Sequence, residues 1–344
     1  MPDAAPEAAA QLAGLKESEW PAFLDYAASH GVLALLAPAL ARCEPPAAIR
    51  DAVERRLAVQ SIWSRHVAES LSALLDLFAR EGIQVCALKG PVLATRFYGD
   101  PSDRPSIDID LLVRPGQLGR AREALLRAGY AGDSEPSAAY LIEHAHHLHF
   151  TRESAPELEL HFQAYHGLGT VIPAAALMDG ADEIDFAGRP TLVPRTEDEL
   201  IYLAVHAAGH SFIRLLWLFD LKLLIRKRAP DWRLVMSRSN ELEVASAVTY
   251  ALGLLDRWLG VDNIPPEARA RHSRRSLVAD RLLALVAAPS TPSSVDNLGG
   301  LIFTAMLCDR VGATFGLAGH HLLRTARHRV HRLAPRLVPE SWSA

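Results

Sequence analysis

Ten residues, RPSIDIDLLV at positions 104–113, constrain the fold of this chain more than any other stretch. Apolar side chains recur there at every second position, the spacing that places them on one face of a β-strand: Ile107, Ile109, Leu111 and Val113. The opposite face carries Asp108 and Asp110, two like charges side by side. Such a pair is stable on a face exposed to water or beside a bound cation, and the remaining sequence has to distinguish these alternatives.

The composition is that of a globular protein with a large core. The chain has 344 residues, 49% of them apolar, which suits one large domain or two to three smaller ones. With 22% charged residues and a formal net charge of −4, the overall charge indicates neither a nucleic-acid partner nor a highly acidic protein. The three cysteines lie far apart and match no zinc or disulfide pattern, so a reducing compartment is the simplest inference.

The N-terminus and the apolar segments predict a cytoplasmic protein without a transmembrane segment. The first residues, MPDAAPEAAAQ, lack the basic and apolar regions of a secretory signal. Of the two longest apolar runs, VLALLAPALA is too short to span a bilayer, and LLWLFDLKLLI is interrupted by Asp220 and Lys222.

The periodicity of the apolar residues divides the chain into three regions. Residues 1–80 show the spacing of amphipathic helices. Residues 81–193 read in order as a strand, a short helix, a second strand, a helix and a β-hairpin. Residues 194–344 return to a helical pattern. We therefore predict an α+β fold, in which a small mixed β-sheet core lies between an N-terminal and a C-terminal helical region.

Several helix ends are also predicted. The pair His30-Gly31 is predicted to end a helix, and Gly82 is predicted to end the long or kinked helix that follows. The C-terminal helical region begins with the pattern of a capping box, from Thr196 to Glu199.

A third carboxylate reinforces the aspartate pair. Side chains two residues apart on a strand face the same way, roughly 6–7 Å apart, so Asp108 and Asp110 reach towards one point. In the hairpin segment ELELHF, Glu157, Glu159 and His161 share one face. If the two strands are neighbours, Glu159 completes a cluster able to hold two metal ions about 3.5–4 Å apart, and Mg²⁺ prefers such oxygen ligands. The alternative is a solvated outer face of the sheet.

Cationic and small residues near the strand ends indicate a phosphate pocket. Lys89 and Gly90 close the preceding strand, where the lysine offers positive charge and the glycine lets the backbone approach a phosphate. Arg104 lies in a loop four residues before Asp108, at the same end of the sheet. We predict that Lys89, Gly90 and Arg104 contact the phosphates of a nucleotide.

Together these residues resemble the nucleotidyltransferase superfamily, which has the DNA polymerase β-like fold, and within it an uncharacterised bacterial group of nucleotidyltransferases. The matching segments are ALKGPVLATRFYGDPSDRPSIDIDLLV (87–113), Gly129-Tyr130, LELHF (158–162) and the helical LAVHAAGHSFIRLLWLFDLKLL (203–224). The resemblance implies that Asp108 and Asp110 are the metal-binding and catalytic pair, with Glu159 as the third carboxylate.

The activity implied by the resemblance is Mg²⁺-dependent transfer of a nucleoside monophosphate from ATP or another nucleoside triphosphate to an acceptor. It is an in-line displacement with two metal ions, and the acceptor, which the residues do not identify, is a small molecule, a peptide or a protein. Lys89 and Gly90 stand where the superfamily has Gly-Ser. This departure motivates a second hypothesis, a non-catalytic nucleotide-binding or interaction module with the same fold. A phosphate-releasing hydrolase is a third.

His206, His210 and Arg214 recur at every fourth position and are predicted to share one face of a single helix. In that arrangement they line the cleft opposite the metal ions, and His206 and His210 contact the nucleotide or the acceptor. The alternative is a polar contact between helices.

Two further features are less specific. The segment EHAHHLHF contains histidines at 144, 146, 147 and 149, which we interpret as strand-edge residues near the cleft. A zinc site is the less favoured alternative, because no ligand pair has zinc-finger spacing. The basic tail at 320–336 is predicted to be a helix docked on the protein, with contact to anionic lipid or an acidic partner as the alternative.

Overall fold

The computed structural model describes residues 5–133, 138–139, 141–142, 145–269, 278–281, 283 and 298–310. The helices in these residues are α1 (Ala5–Ala13), α2 (Trp20–Ser29), α3 (Leu33–Arg42), α4 (Ala47–Arg80), α5 (Gly90–Phe97), α6 (Leu118–Arg127), α7 (Ala174–Met178), α8 (Thr196–Gly209), α9 (Leu215–Arg228), α10 (Trp232–Glu241), α11 (Ala245–Leu259) and α12 (Leu298–Met306). None of these helices is both long enough and apolar enough to cross a bilayer. His144 and the basic tail at 320–336 lie outside the described residues.

The strands of the described chain form a mixed sheet and a separate hairpin. They are β1 (Val85–Ala87), β2 (Asp108–Val113), β3 (Ala131–Gly132), β4 (His147–Thr151), β5 (Glu157–His161), β6 (Gln163–Gly167), β7 (Thr170–Pro173), β8 (Asp182–Phe186) and β9 (Arg189–Val193). The sheet order is β3-β4-β5-β2-β1-β9-β8, and β6 pairs with β7. β2 is parallel to β5 and β1 is parallel to β9, whereas the other neighbours are antiparallel. The predicted α+β fold with a mixed sheet is confirmed.

Both faces of the sheet are covered. Ile109 and Leu111 of β2 belong to a buried cluster with Leu71 of α4 and Leu125 of α6. Leu112, on the opposite face of β2, belongs to a second cluster formed largely by the C-terminal helices. An ionisable side chain on that second face is therefore held among protein groups, and it needs a partner because burial disfavours an isolated charge.

The first three helices pack in a cluster of their own. Trp20 and Leu24 of α2 lie there with Val53 from the first half of α4, whereas the second half of α4 packs against the sheet. The predicted boundaries after residues 80 and 193 coincide with the ends of α4 and β9. Because α4 contributes to both clusters, the division into three domains stays a prediction.

The two predicted glycine stops are confirmed. α2 ends at Ser29 and is followed, after His30, by Gly31 with φ +70°. α4 ends at Arg80, and Gly82 has φ +62°. Both glycines lie in the left-handed region that often follows a helix.

The predicted capping box is wrong. Thr196 is already the first residue of α8, and the residue before it, Arg195, makes no side-chain cap. Glu199 is buried and accepts a hydrogen bond from Arg96 Nη1 of α5 at 2.6 Å. A long-range hydrogen bond thus uses the carboxyl group that the local pattern assigned to a cap.

Candidate active site

The carboxylates meet because β2 and β5 are neighbours, as predicted. In this parallel pair Asp108 lies beside Glu157, and Asp110 lies beside Glu159. Adjacent strands are about 4.8 Å apart, so the side chains on the shared face are within reach of a common ligand. His161, two residues after Glu159, extends the same face.

Asp110 is the centre of this group. It is only 4% exposed, and its Oδ1 atom lies 2.9 Å from Lys89 Nζ and 3.2 Å from His161 Nε2. The same ring nitrogen of His161 is 3.4 Å from Glu159 Oε2. His161 therefore connects two of the three predicted carboxylates, and Lys89 contacts one of them.

The charges of these groups are set by burial and by one another. Burial alone raises the pKa of Asp110, but the Lys89 ammonium and the His161 ring hold it well below its ordinary value. Burial and the charge of Asp110 raise the pKa of Asp108 to about 6. Burial lowers the pKa of His161, yet its bonds to Asp110 and Glu159 leave it raised overall. The pocket thus concentrates negative charge that Lys89 and His161 only partly offset.

One carboxylate oxygen of Asp110 lacks a partner within the described chain. Asp110 Oδ2 is buried and accepts no hydrogen bond, whereas Oδ1 of the same carboxylate has two contacts. Such an atom costs free energy unless something outside the protein binds it. Ligand atoms of Asp110, Glu159 and His161 also lie within 4.8 Å of one another. Oxygen-rich and negatively charged, the pocket fits a divalent cation such as Mg²⁺.

Lys89 and Gly90 lie at the turn between β1 and α5. Lys89 precedes the helix as its N-cap residue, and Gly90 is the first helical residue, with φ +66°. A Cβ at Gly90 would lie 3.7 Å from Ser106 Oγ and 3.9 Å from the Asp108 carbonyl oxygen, which is ordinary contact. The backbone conformation rather than lack of space therefore favours glycine.

Arg104 is held by a partner that the sequence analysis did not assign to it. The residue is 5% exposed, and its Nε and Nη2 atoms donate to the two carboxylate oxygens of Asp220, each at 2.8 Å. Its Nη1 atom donates to Ser106 Oγ at 3.0 Å. Asp220 belongs to α9, so this pair ties the loop before β2 to the C-terminal helices. Direct contact of Arg104 with a phosphate stays a prediction.

The expectation that His206, His210 and Arg214 share one helix is wrong. α8 ends at Gly209, and Ser211 and Phe212 have φ values of +52° and +51°, which reverse the chain direction before α9. Arg214 is then the N-cap residue of α9.

His206 still reaches the pocket. Lys89 Nζ donates to His206 Nδ1 at 3.4 Å, and the rings of His206 and His210 lie 4.8 Å apart. Burial and the charge of Lys89 lower the pKa of both rings, that of His206 well below its ordinary value. Both are therefore neutral at physiological pH. Their predicted contact with a nucleotide stays a prediction.

The comparison with protein families decides what kind of protein this is. A family described as uncharacterised nucleotidyltransferase matches residues 16–260, more than two thirds of the chain and all of the pocket residues named above. The chain belongs to this family. A comparison with curated protein sequences gives no match.

Three solved structures are similar to this nucleotidyltransferase at low identity. The solution structure of the antibiotic-resistance factor ANT(2'')-Ia has 13% identity and a TM-score of 0.39, covering 51% of this chain and 91% of that one. A crystal structure of ANT(2'')-Ia in complex with adenylyl-2''-tobramycin has 14% identity and a TM-score of 0.36, covering 51% and 93%. The lincosamide antibiotic adenylyltransferase LnuA, bound to lincomycin, has 17% identity and a TM-score of 0.33, covering 45% and 94%. The family assignment does not depend on these matches.

His161 is the pocket residue of the nucleotidyltransferase that sequence reasoning undervalued. Its face was predicted, but it was not included among the candidate site residues. The signal was present, since a residue two positions after Glu159 on a strand projects from the same face. The pairing of Arg104 with Asp220 had no comparable signal, because 116 positions separate the two residues.

Proposed function

We propose that this nucleotidyltransferase moves a nucleoside monophosphate from a nucleoside triphosphate, with ATP as the first candidate, to an acceptor. Asp108, Asp110 and Glu159 are the catalytic, metal-holding carboxylates of this proposal. The observation that carries it is the set of three carboxylates on two neighbouring strands, with one buried oxygen of Asp110 lacking a partner among the described residues. The acceptor is a small molecule, a peptide or a protein.

The metal chemistry follows from the carboxylate cluster. Asp108, Asp110 and Glu159 would hold up to two Mg²⁺ ions, which would supply Lewis acidity towards an acceptor hydroxyl and towards the leaving pyrophosphate.

The residues around the carboxylates have separate tasks in this proposal. Lys89 and His161 fix Asp110 through Oδ1, which leaves Oδ2 for a ligand. Glu159, held by His161 at 3.4 Å, takes the proton of the acceptor hydroxyl. The Lys89 charge and the backbone at Gly90 receive the triphosphate, where positive charge stabilises the developing negative charge on phosphate oxygens.

The roles predicted for Arg104 and for the two histidines of the cleft are revised in this proposal. Because Asp220 holds the guanidinium of Arg104, we assign to Arg104 a positive charge felt by Asp108 and Asp110 rather than the first phosphate contact. His206 and His210 form an aromatic group with Trp217, whose ring lies 5.1 and 5.4 Å from theirs. We assign this group to the base of the nucleotide or to the acceptor.

A second function is supported by one contact. Lys89 Nζ lies 2.9 Å from Asp110 Oδ1, where a metal ion is expected. If the ammonium stays beside Asp110 when nucleotide is bound, the protein binds the nucleotide without transferring its nucleoside monophosphate. This non-catalytic module predicts Mg²⁺-dependent binding of nucleoside triphosphates without pyrophosphate release. A hydrolase predicts release of orthophosphate instead.

The decisive experiment follows α-labelled ATP, GTP, CTP and UTP incubated with the protein, Mg²⁺ and a cell extract as a source of acceptors. We expect label transfer and pyrophosphate release by the parent protein, and a loss of at least ~10³-fold in Asp108→Asn and Asp110→Asn, equivalent to about 4 kcal/mol of transition-state stabilisation. Glu153→Gln, which neutralises an exposed carboxylate in the turn before β5, is the matched control and keeps the parent rate. Equal labelling by the parent and by the double variant Asp108→Asn/Asp110→Asn contradicts the carboxylate assignment.

A further inference from the structure

The face that carries the carboxylates continues across a third strand as histidines. β4 is antiparallel to β5, with His149 beside Glu159 and His147 beside His161. The imidazoles of β4 thus extend the row that begins at Asp110. The proposed transfer reaction uses neither His147 nor His149, so this end of the face needs its own explanation.

The two β4 histidines point their ring nitrogens at each other. His147 Nε2 lies 3.0 Å from His149 Nε2. His149 Nδ1 lies 2.8 Å from Glu157 Oε1, and an ionised carboxylate only accepts hydrogen bonds, so Nδ1 carries the proton of neutral His149. The lone pair of this ring is therefore on Nε2, directed towards His147. A carboxylate that orients an imidazole in this way is the usual outer partner of a metal-bound histidine.

A third ligand lies next to the two rings. Atoms of His147, His149 and Glu159, one from each residue, are all within 4.8 Å of one another. Zinc binds imidazole nitrogen and carboxylate oxygen at about 2.0–2.2 Å, so neighbouring ligand atoms of a tetrahedral site are about 3.3 Å apart. The Nε2 atoms of His147 and His149, 3.0 Å apart, are already close to that spacing.

We propose that His147, His149 and Glu159 form a site for a borderline transition-metal ion, with Zn²⁺ as the representative ion. Three protein ligands leave one position for water or for an oxygen of a bound substrate. Nitrogen ligands disfavour Mg²⁺, which prefers oxygen. The site is therefore chemically distinct from the Asp108–Asp110 pair, although Glu159 adjoins both.

The ring of His147 is not fully hydrogen-bonded within the described chain. His147 Nδ1 is buried and has no hydrogen-bond partner in the described chain, and the same is true of Nδ1 of the neighbouring His161. Core histidines retained for packing normally satisfy both ring nitrogens. His149 is 42% exposed, so an ion has access to the site from solvent.

The test measures metal binding directly. Untagged full-length protein is freed of metal with a chelator, titrated with Co²⁺ in excess Mg²⁺ while visible absorption is recorded, and then titrated with Zn²⁺. We expect one Co²⁺ per chain with the absorption of nitrogen ligation, and its displacement by Zn²⁺. His147→Ala and His149→Ala each weaken Zn²⁺ binding by more than the ~10–100-fold expected for Glu157→Gln, which removes only the outer partner.

Matched variants separate this site from the rest of the protein. His66→Ala removes an imidazole of α4 that contacts the Ser154 carbonyl oxygen and keeps parent affinity for Zn²⁺. His147→Asn and His149→Asn repeat the test with polar side chains in case the alanine variants unfold, and far-ultraviolet circular dichroism checks folding. Unchanged Zn²⁺ affinity in folded His147 and His149 variants, or no Co²⁺ signal from the parent, overturns the proposal. Asp108→Asn keeps the Co²⁺ signal, so a failed transfer assay with intact Co²⁺ binding refutes only the proposed transferase function.

Discussion

Two buried aspartates of this protein, each paired with a cation of low exposure, differ in how completely they are bonded. Asp220 has no exposed surface; its Oδ1 accepts from Arg104 Nε at 2.8 Å and from the Tyr98 hydroxyl at 2.6 Å, and its Oδ2 accepts from Arg104 Nη2 at 2.8 Å. Asp110 has contacts from Lys89 and His161 on Oδ1 alone, and none on Oδ2 within the described chain.

The difference separates a structural ion pair from a binding site. Burying a carboxylate costs several kcal/mol, which good geometry and additional hydrogen bonds offset. At Asp220 the protein supplies that compensation itself, and the result is a fixed joint between the loop before β2 and α9. At Asp110 the compensation is incomplete, and Asp108 and Glu159 add further negative charge. The unsatisfied side of Asp110 is therefore where an external cation is expected.

The largest effect expected from this comparison is on stability. Asp220→Asn removes the carboxylate that is bonded to Arg104 and leaves a buried guanidinium without a bonded counter-charge, at a cost of about 3–5 kcal/mol in the free energy of unfolding. Asp110→Asn is expected to cost less than Asp220→Asn, because Asp108 and Glu159 remain as counter-charges near Lys89 and their repulsion from Asp110 is relieved. Urea unfolding of both variants measures the two values.

Equal destabilisation by the two substitutions breaks the comparison, because it means that Asp110 is as much a structural residue as Asp220. Leu112→Ile, a volume-conserving change in the adjoining core, serves as a control for general sensitivity of the sheet and is expected to cost less than about 1.5 kcal/mol.

A third buried carboxylate, Glu199, tests whether a missing partner is enough to mark a cation site. Glu199 Oε1 is bonded to Arg96, but Oε2 is buried without a partner in the described chain. Burial opposes ionisation more than Arg96 supports it, and the pKa of Glu199 rises from 4.5 to about 7. The charge of Asp220 also raises the pKa of Glu199, but both oxygens of Asp220 are already bonded to Arg104, so we expect Glu199 to bind a proton instead of a metal ion.

The raised pKa of Glu199 determines how the unfolding free energy changes with pH. Between pH 4.5 and about 7 the folded state binds a proton at Glu199 that the unfolded state has lost, so the unfolding free energy falls as pH rises through this interval. The contribution is fully present below the unfolded pKa and amounts to about 3 kcal/mol. Urea unfolding across this range compares the parent with Glu199→Gln, in which the decline is smaller by that amount. Parallel pH profiles of the two proteins contradict the prediction.

The sequence predicted the parts of this structure that depend on local pattern. The alternation of apolar and polar residues predicted β2 and the hairpin strand β5. The acidic residues on one face of each strand predicted a site at Asp108, Asp110 and Glu159. Gly82 ended α4 for a reason that needs no tertiary information, the left-handed backbone that glycine tolerates. These features could be predicted because the interactions that produce them act over a few residues.

The parts that escaped prediction depend on contacts distant in sequence. Arg104 and Asp220 are on different elements, and Glu199 bonds Arg96 instead of capping its own helix. The division between α8 and α9 was missed because Ser211 and Phe212, both non-glycine residues, adopt left-handed conformations that local propensity disfavours. Tertiary packing decides such cases, and a pattern of every fourth residue cannot report it.

A smaller effect distinguishes the two aspartates through a ligand. Mg²⁺ at ~10 times its dissociation constant raises the unfolding free energy by about 1.4 kcal/mol, because it binds the folded state alone. The stabilisation is absent in Asp110→Asn and retained in Asp220→Asn, examined at a temperature where the latter is folded. Thermal unfolding with and without Mg²⁺ measures it. A shift of the same size in Asp110→Asn places the ion elsewhere.

The smallest expected effect on stability concerns the backbone conformation beside the two cationic residues, Arg104 and Lys89. Arg104 has ordinary extended angles, φ −126° and ψ 96°, whereas Lys89 is followed by Gly90 at φ +66°. Gly90→Ala meets only ordinary contacts at 3.7 Å or more, so its cost is that of a left-handed alanine, about 1 kcal/mol in urea unfolding. Gly116→Ala, at a glycine without positive φ and with nothing within 4 Å of an added Cβ, is the matched control and stays within about 0.5 kcal/mol of the parent. If the two variants are equally stable, the left-handed conformation of Gly90 is not what directs Lys89 towards Asp110. Backbone conformation then does not explain the difference between Lys89 and Arg104.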